Sequence, residues 1–419
     1  MTGREPGAAA ARLGPPVMSR PILLASYASF ILIGWTGLFV PSLLLVLQDE
    51  FDRSDAEFGL VYFIGALLFA TGALSSGLIA GRIGRRIVLA ASALAIAVGM
   101  TLEGVAPSWT VFLVGAAFAG AGSGAIDAVV SSVIMDLSTS TGGSGSGLNR
   151  LHLFYSVGAL AAPLLIGALV ELGLDWRALA VATGLAGLAL AAPLARAGSI
   201  PPRPRPRAGA PTGGPTAGLT FGLQLALAAL GIAIACYVAA ESGVSSWLVG
   251  FLVDQPMAVA TLALGLFWGG LAAGRLVASR IADRFDPLRF TIACTLAGGI
   301  AILAAVALAA GPARIALFAL AGFAFGPVYP MILAIAGSLF PHRAAAVAGI
   351  ITAAGVVGSI SYPPLMGLVS GVAGLGAGML GAALLIFVSG AGVFVAGRLS
   401  GAGTMAPPVP EPVDAADPG

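Results

Sequence analysis

Apolar residues dominate this chain in long stretches, and short polar or glycine- and proline-rich breaks separate them. One helical crossing of a bilayer needs about 20 apolar residues, so each stretch is long enough to span. We predict helices rather than strands, because open strand edges are not tolerated in lipid and the alternating segments of a barrel are missing. The pattern predicts an all-α integral membrane protein with twelve transmembrane helices, at residues 22–47, 58–80, 87–106, 110–135, 151–170, 178–195, 219–247, 257–279, 290–310, 314–338, 344–370 and 375–397.

The composition agrees with this class and excludes several others. Of the 419 residues, 58% are hydrophobic and 9% are charged, whereas a soluble domain has about 25% charged residues. Too few charges are present to build a water-facing surface, which argues against a soluble enzyme, a nucleic-acid binder or a disordered chain. With a net charge of +2 and two cysteines, the sequence indicates neither an electrostatic partner nor a disulfide framework.

The arginines predict the orientation. If the N-terminus is cytoplasmic, 16 of the 20 arginines fall on the cytoplasmic side of the twelve-span arrangement, as the positive-inside rule requires. We therefore expect a multi-pass protein of the cell inner (plasma) membrane with both termini in the cytoplasm.

A proline- and arginine-rich stretch around residues 196–218 divides the chain and offers no apolar face to bury. The sequence therefore predicts two pseudo-symmetric six-helix bundles joined by a linker. The expected parts are a cytoplasmic N-terminal segment, the first bundle, the linker, the second bundle and a disordered cytoplasmic tail, at residues 1–20, 21–196, 197–218, 219–398 and 399–419.

The two halves also repeat a glycine and proline pattern. The fifth and eleventh predicted spans carry Gly, Pro and Gly at the same spacing, at Gly158, Pro163 and Gly167 and at Gly358, Pro363 and Gly367. Internal duplication of a six-span unit is typical of secondary transporters, which bind substrate near the midplane between their repeats.

The loop between the second and third spans carries a family resemblance. Residues 77–89 read GLIAGRIGRRIVL and resemble the loop motif of the major facilitator superfamily, with Gly81 where that motif usually has Asp. The corresponding loop of the second half keeps the acid, as Asp283 and Arg284. The resemblance covers roughly residues 20–398 and implies the major facilitator fold and transport by alternating access.

Four further segments resemble the fucose permease-like group, at residues 120–134, 149–163, 237–248 and 325–341. Members of that group are typically proton-coupled sugar symporters with an acid in the fourth span, which Asp127 matches. Glu241 supplies an acid in the seventh span, whereas residues 35–47 of the first span contain none.

Asp127 and Glu241 are the candidate proton-coupling residues. A carboxylate at the bilayer centre costs about 2.5–3.5 kcal/mol, and no basic residue lies within one helical turn of Asp127. The alternative for Asp127 is a structural acid.

Glu241 follows Tyr237 by four residues, so the two share a helix face. Glu241 has two other possible roles, in gating or as an acid at a helix end. Glu103 lies near the end of its span, and we expect it at the membrane interface.

The aromatic candidates for substrate binding combine apolar surface with a polar group, which suits sugar recognition. Asn149 and His152 share one stripe of the fifth span with Ser156, where His152 has a second possible role in a proton relay. Packing or interfacial anchoring is the alternative for each aromatic residue, and an ordinary hydrogen-bonded helix residue is the alternative for the histidine. The candidates are Trp35, Asn149, His152, Tyr155, Tyr237, Tyr329 and Tyr362.

Charged residues at the predicted cytoplasmic ends are candidates for gating. The resemblance implies that Asp136, at the end of the fourth span, pairs with a loop arginine and that such pairs bias the conformational states. The candidates are Arg85, Arg86 and Asp136 in the first half and Arg275, Asp283 and Arg284 in the second. Arg275 has a second possible role, pairing with the substrate.

These observations predict a secondary active transporter, with proton-coupled symport of a sugar or sugar-like solute as the expected activity. The alternative is a proton-coupled efflux antiporter for drugs or metabolites, since the Gly158 to Gly167 stretch faintly resembles an antiporter motif. That motif has Gly before its Pro, where this sequence has Ala162.

An enzyme is not expected, because the histidines and cysteines are scattered and no HExxH spacing occurs. The expected partners are a small solute, protons and the lipid bilayer. We expect no cofactor, metal or nucleic acid, and a monomer.

Overall fold

The structure is a computed structural model that describes residues 20–140, 146–196, 220–307, 310–340 and 343–400. Within those ranges the backbone is helical and contains no strand. The predicted linker, residues 1–19 and residues 401–419 fall outside the described part. The helices are α1 Arg20–Phe51, α2 Asp55–Ile83, α3 Arg85–Gly104, α4 Trp109–Ser140, α5 Ser146–Glu171, α6 Trp176–Arg196, α7 Phe221–Phe251, α8 Met257–Ile281, α9 Pro287–Ala307, α10 Gly311–Phe325, α11 Val328–Leu339 and α12 Ala344–Leu399.

These helices confirm the predicted all-α membrane class. In the described residues, eleven helical segments are long and apolar enough to cross a membrane. The last helix, α12, has 56 residues, which corresponds to about 84 Å at 1.5 Å per residue, more than twice the ~30 Å of a bilayer core. Its path breaks at Gly374, where φ is 74° and ψ is 161°, a conformation that favours glycine. Residues on the two sides of Gly374 therefore supply two spans, and the total reaches the predicted twelve.

Local signals explain where α2 begins and ends. Ser54 accepts a hydrogen bond from the Glu57 backbone N–H, and the Glu57 carboxylate accepts from the Ser54 backbone N–H at 2.9 Å. This capping box satisfies amide groups that the first helical turn leaves unpaired. Gly84 has φ 92° and separates α2 from α3, so the tight turn between them depends on a residue without a side chain.

Contacts divide the chain into two packing units. The first unit contains residues up to Pro211 together with Leu248–Gly265, and the second contains Thr212–Trp247 together with the residues from Leu266 onwards. The sequence division placed all of 219–398 in one bundle, whereas packing groups the α7–α8 turn with the first unit. Thr261 lies against Gly167 of α5, and the Glu171 carboxylate accepts a hydrogen bond from the Ala258 N–H at 3.1 Å.

Within the first unit, glycines allow close helix crossings. α1 packs on α5, α2 on α4, and α3 on both α4 and α6. A Cβ added to Gly158 of α5 would overlap the Ile31 carbonyl of α1. The second unit repeats this contact, since a Cβ on Gly358 of α12 would overlap the Ala235 carbonyl of α7. The sequence repeat thus corresponds to a repeated helix crossing, where small residues permit close backbone approach.

Candidate functional site

The first candidate site centres on Asp127 of α4. Asp127 lies about 27 Å along the helix axis from Trp109 and about 20 Å from Ser140, so it is deep within the membrane-spanning part. Its side chain is half-buried. Among the residues that the structure describes, no side chain hydrogen-bonds or pairs with the carboxyl. The carboxyl therefore sits at membrane depth without a described counter-ion.

Glycines on α4 fix the position of this carboxyl. A Cβ on Gly120 would lie 2.7 Å from the Gly65 carbonyl of α2, and a Cβ on Gly122 would lie 2.5 Å from the Ser92 carbonyl of α3. The hydroxyls of Ser123 and Thr36 are 3.4 Å apart, which joins α4 to α1. Asp127 follows Ser123 by four residues and Gly120 by seven, so it shares the face of α4 that these residues present to α1 and α2.

Two of the predicted substrate-binding aromatics join α1 to its neighbours: Trp35 belongs to α1, and Tyr155 of α5 contacts it. The Trp35 indole N–H donates to the Thr183 hydroxyl of α6 at 3.0 Å. The Tyr155 hydroxyl of α5 lies 3.5 Å from the position of a Cβ on Gly37. Trp35 therefore links α1 to α6, Tyr155 brings its hydroxyl from α5 to α1, and Trp35 already uses its only polar hydrogen.

His152 occupies an exposed position on α5. Its ring packs edge-on against Phe30, with centroids 5.8 Å apart. Ser156 donates to the His152 backbone carbonyl at 2.9 Å, which is a local helix contact. Asn149 lies in the first turn of α5, and its side chain lies outside the described part of the chain.

The second candidate site is a group of polar residues on α7 and α8. The Tyr237 hydroxyl donates a hydrogen bond to the Glu241 carboxylate one turn further along α7. Arg275 of α8 lies close enough to act electrostatically on both the phenol and the carboxylate. The Arg275 Nε also donates to the Gly326 carbonyl at 3.4 Å. An acid of α7 and a guanidinium of α8 thus belong to one group of polar side chains within the second unit.

Aromatic rings flank this polar group. The Tyr237 ring is fully buried, and its centroid lies 5.7 Å from that of Phe325 and 6.4 Å from that of Tyr329. The Tyr329 hydroxyl lies 3.4 Å from the Thr352 hydroxyl. The second unit therefore brings two predicted substrate-binding residues, Tyr237 and Tyr329, next to the predicted acid Glu241.

Tyr362 has a different environment. Its hydroxyl donates to the Gly378 carbonyl at 2.6 Å, across the break at Gly374. Its ring also lies against Gly243 of α7. The geometry gives Tyr362 a packing role within α12 in addition to the predicted role in binding.

A comparison with protein families gives the identity of the fold. The family model of the Major Facilitator Superfamily matches residues 24–363. The chain belongs to the major facilitator superfamily. This membership confirms the resemblance that the loop motif indicated, and it fits an all-helical chain with twelve spans.

Solved structures agree with the superfamily assignment. A bacterial homologue of the human lysosomal transporter Spinster, solved in an inward-facing and occupied conformation, has a TM-score of 0.74 at 16% identity, covering 93% of this chain and all of that one. The Escherichia coli fucose:proton symporter FucP (N162A) has a TM-score of 0.57 at 18% identity, with 90% and 98% covered. At these identities the likeness concerns the fold alone. A search of curated proteins found no match.

The predicted gating residues of this superfamily member differ in their exposure. Arg85 is half-buried, and Arg86 and Arg284 are exposed. The side chains of Asp136 and Asp283 lie outside the described part of the chain. Both proposed locks stay predictions. The contacts that involve Arg275 connect it to the Tyr237 and Glu241 site.

Glu103 lies one residue before the end of α3 and is buried between helices. Its side chain is 2% exposed, and its Oε2 atom has no hydrogen-bond partner among the described residues. A Cβ on Gly115 of α4 would lie 2.9 Å from the Glu103 Cγ. Gly115 lets α3 and α4 approach so closely that the carboxyl is enclosed between them, although its sequence position is near a helix end.

Sequence reasoning also missed two polar contacts in the superfamily fold. Thr183 accepts the Trp35 hydrogen bond, and the buried Trp247 indole donates to the Pro363 carbonyl at 2.8 Å. The only sequence signal for either was a polar group within an apolar span, where buried polar groups normally find a partner.

Proposed function

We propose that this protein is a proton-coupled secondary transporter of a small hydroxyl-bearing solute, such as a sugar, and that Asp127 binds the coupling proton. We further propose transport by alternating access across the cell inner membrane, with both termini cytoplasmic. The observation that carries the proposal is the half-buried Asp127 carboxyl, which has no described counter-ion or hydrogen-bond donor at membrane depth.

The energetic argument concerns the charge of this carboxyl. An ionised carboxylate near the bilayer centre costs about 2.5–3.5 kcal/mol, and no described guanidinium lies close enough to Asp127 to offset that cost. A carboxyl that holds a proton avoids the cost, whereas contact with water favours release of the proton. Asp127 therefore holds a proton when it is shielded from water and releases it when water reaches it. Coupling to a proton gradient requires such a difference between the conformational states.

The solute part of the proposal rests on the second unit. The half-buried Glu241 carboxylate accepts a hydrogen bond from the buried Tyr237 phenol, and the half-buried Tyr329 ring lies beside Tyr237. Apolar rings with a few polar groups are typical of small-molecule sites. The fold shared with a fucose:proton symporter makes sugars the first solutes to test.

Transport in proteoliposomes tests the proton-coupling role. We expect Asp127→Asn to abolish uptake driven by a proton gradient and to preserve exchange of labelled for unlabelled solute, because exchange needs no net proton movement. Asp127→Glu should retain part of the driven uptake, since it keeps a titratable carboxyl.

Glu103→Gln is the matched control, because Glu103 is also a buried acid of the first unit but is enclosed between α3 and α4. It should retain driven uptake. Full driven uptake by Asp127→Asn would contradict the proposal. Proton-driven extrusion of drugs, with no solute-induced proton entry, would instead support the efflux alternative.

A further inference from the structure

The residue at the N-cap position of α8 cannot cap the helix with its side chain. The Pro256 carbonyl accepts hydrogen bonds from the backbone N–H groups of Val259 and Ala260, at 2.9 and 3.0 Å, which places Pro256 at the N-cap. This position favours Ser, Thr, Asp or Asn, whose side-chain oxygen accepts from the second or third amide of the helix. Proline has no such oxygen, so the amide of Ala258, the second residue of α8, needs an acceptor from another element.

That acceptor belongs to α5. The Glu171 carboxylate accepts a hydrogen bond from the Ala258 N–H at 3.1 Å, across 87 positions of the chain. Glu171 is the last residue of α5, and its side chain is exposed. A negative charge at a helix N-terminus also interacts favourably with the helix dipole. Glu171 therefore gives the first turn of α8 the cap that its own sequence lacks at Pro256.

Beyond this bond, α5 and α8 touch along one stripe. Gly167 of α5 lies against the Thr261 side chain of α8, and a Cβ on Gly265 of α8 would lie 2.7 Å from Leu164 of α5. The contact positions on each helix are three and four residues apart and run in opposite order, so they form one antiparallel stripe. The Thr261 hydroxyl donates to the Met257 carbonyl of its own helix at 2.9 Å, which makes the contact with Gly167 one of packing.

These contacts hold one segment apart from the rest of its helices. Residues 248–265 pack with the first unit, whereas the other parts of α7 and α8 pack with the second. Gly167 and Gly265 have no side chains to disentangle when the stripe separates. An exposed carboxylate regains water when its hydrogen bond breaks, so the net cost of breaking it is small. The contact between residues 248–265 and α5 is thus suited to reversible release.

We propose that Glu171 is a releasable latch, which caps α8 from α5 and keeps residues 248–265 on the first unit in one conformation of the transport cycle. The inference rests on the proposed alternating access, to which it adds a positioning residue. When the bond to Ala258 breaks, the first turn of α8 loses its cap and residues 248–265 separate from α5. One carboxylate therefore couples the order of a helix end to the position of the segment.

Two readouts on the purified full chain in detergent test the latch. Amide hydrogen exchange, followed by mass spectrometry on peptides that cover residues 255–262, reports order in the first turn of α8. The distance between spin labels at Leu172→Cys and Val253→Cys reports the position of the segment. Both sites are exposed, by 84% and 58%, and the native Cys236 and Cys294 are replaced by alanine.

Glu171→Ala should change both readouts. A carboxylate at a helix N-terminus has a modest effect, so we expect about two- to fivefold faster exchange and a similar increase in the ratio of long to short label distances. Glu171→Gln keeps an acceptor oxygen without the charge and should give intermediate values. Asp254→Asn is the matched control, because it removes an exposed acid of the same turn, and it should leave both readouts unchanged.

A second substitution separates the cap from the latch. Pro256→Asp gives α8 an N-cap of its own. In the Glu171→Ala background it should restore slow exchange in the first turn but leave the long label distances populated, because the bond to α5 is still missing. Restoration of the short distances as well would contradict the latch.

Other results would also overturn the latch. They are unchanged readouts in Glu171→Ala, an equal effect of Asp254→Asn, or faster exchange without any change in distance, which would leave Glu171 as a cap alone. If Glu171→Ala is not monodisperse, Glu171→Gln and the unmodified chain give the same comparison. Neither readout uses a solute or a proton gradient. Driven uptake that ignores Asp127, with both readouts as expected, would therefore refute the proton-coupling role alone, and Asp127-dependent uptake with unchanged readouts would refute the latch alone.

Discussion

The crossing between α2 and α4 offers a quantitative test of how the fold positions Asp127. Gly120 of α4 and Gly65 of α2 face each other at this crossing, but their side-chain directions differ. A Cβ on Gly120 would lie 2.7 Å from the Gly65 carbonyl oxygen, whereas a Cβ on Gly65 would meet nothing within 4 Å. The same substitution, glycine to alanine, should therefore have different effects on the two sides of one crossing.

The distances give the size of the difference. Ordinary contacts begin at 3.4 Å, so Gly120→Ala requires α2 and α4 to separate locally by about 0.7 Å. Overpacking of this kind costs about 1–3 kcal/mol, and the better helix propensity of alanine returns at most about 1 kcal/mol. Gly65→Ala has the propensity gain without the clash. We expect the free energy of unfolding of Gly120→Ala to be lower than that of Gly65→Ala by about 1–3 kcal/mol.

Thermal denaturation in detergent, followed by the loss of the monodisperse peak in size-exclusion chromatography, measures this difference. Gly120→Ala should lose its folded peak at a temperature several degrees lower than Gly65→Ala. Because Gly120 lies two helical turns before Asp127, Gly120→Ala should also reduce driven uptake more than Gly65→Ala does. Equal stability of the two variants would refute the argument that this glycine is required by close backbone approach.

Two further substitutions test local features of the fold. Ser54→Ala removes half of the capping box with Glu57 and should lower the free energy of unfolding by about 1 kcal/mol, measured by thermal unfolding. Ser54→Asp keeps a capping oxygen and should retain most of the stability. A loss of stability in Ser54→Asp as large as that in Ser54→Ala would contradict the capping role. Tyr362→Phe removes the hydrogen bond to the Gly378 carbonyl and should cost about 1 kcal/mol, with faster amide hydrogen exchange around Gly374. Unchanged exchange there would mean that the bond does not hold the two halves of α12 together.

Glycine contacts occur on the helices near both candidate sites. Gly124 of α4 packs on the Phe69 carbonyl of α2, and Gly322 of α10 packs on the Phe267 carbonyl of α8. Each unit thus supports its polar site with a close helix crossing. A small residue at such a crossing fixes the helix that carries the functional side chain, which is a condition for a preorganised site.

The sequence by itself determined the class of the protein and the course of its helices. Hydropathy is a local property, so the long apolar stretches predicted the spans without knowledge of their neighbours. The residues around Gly374 are an example, because the predicted spans 344–370 and 375–397 end and begin beside the glycine where the single long helix breaks. The loop motif at residues 77–89 likewise resembled the family that the chain belongs to.

Only the tertiary structure decided which polar side chains have partners. Glu241 and Arg275 are 34 positions apart, and their proximity depends on how α7 packs beside α8. Glu103 has an end-of-span position in the sequence, yet the approach of α3 to α4 at Gly115 encloses it. Asp127 retains its candidate role because no described helix supplies it with a counter-ion. Hydropathy along one helix cannot predict these outcomes, because the partners come from other helices and are selected by packing.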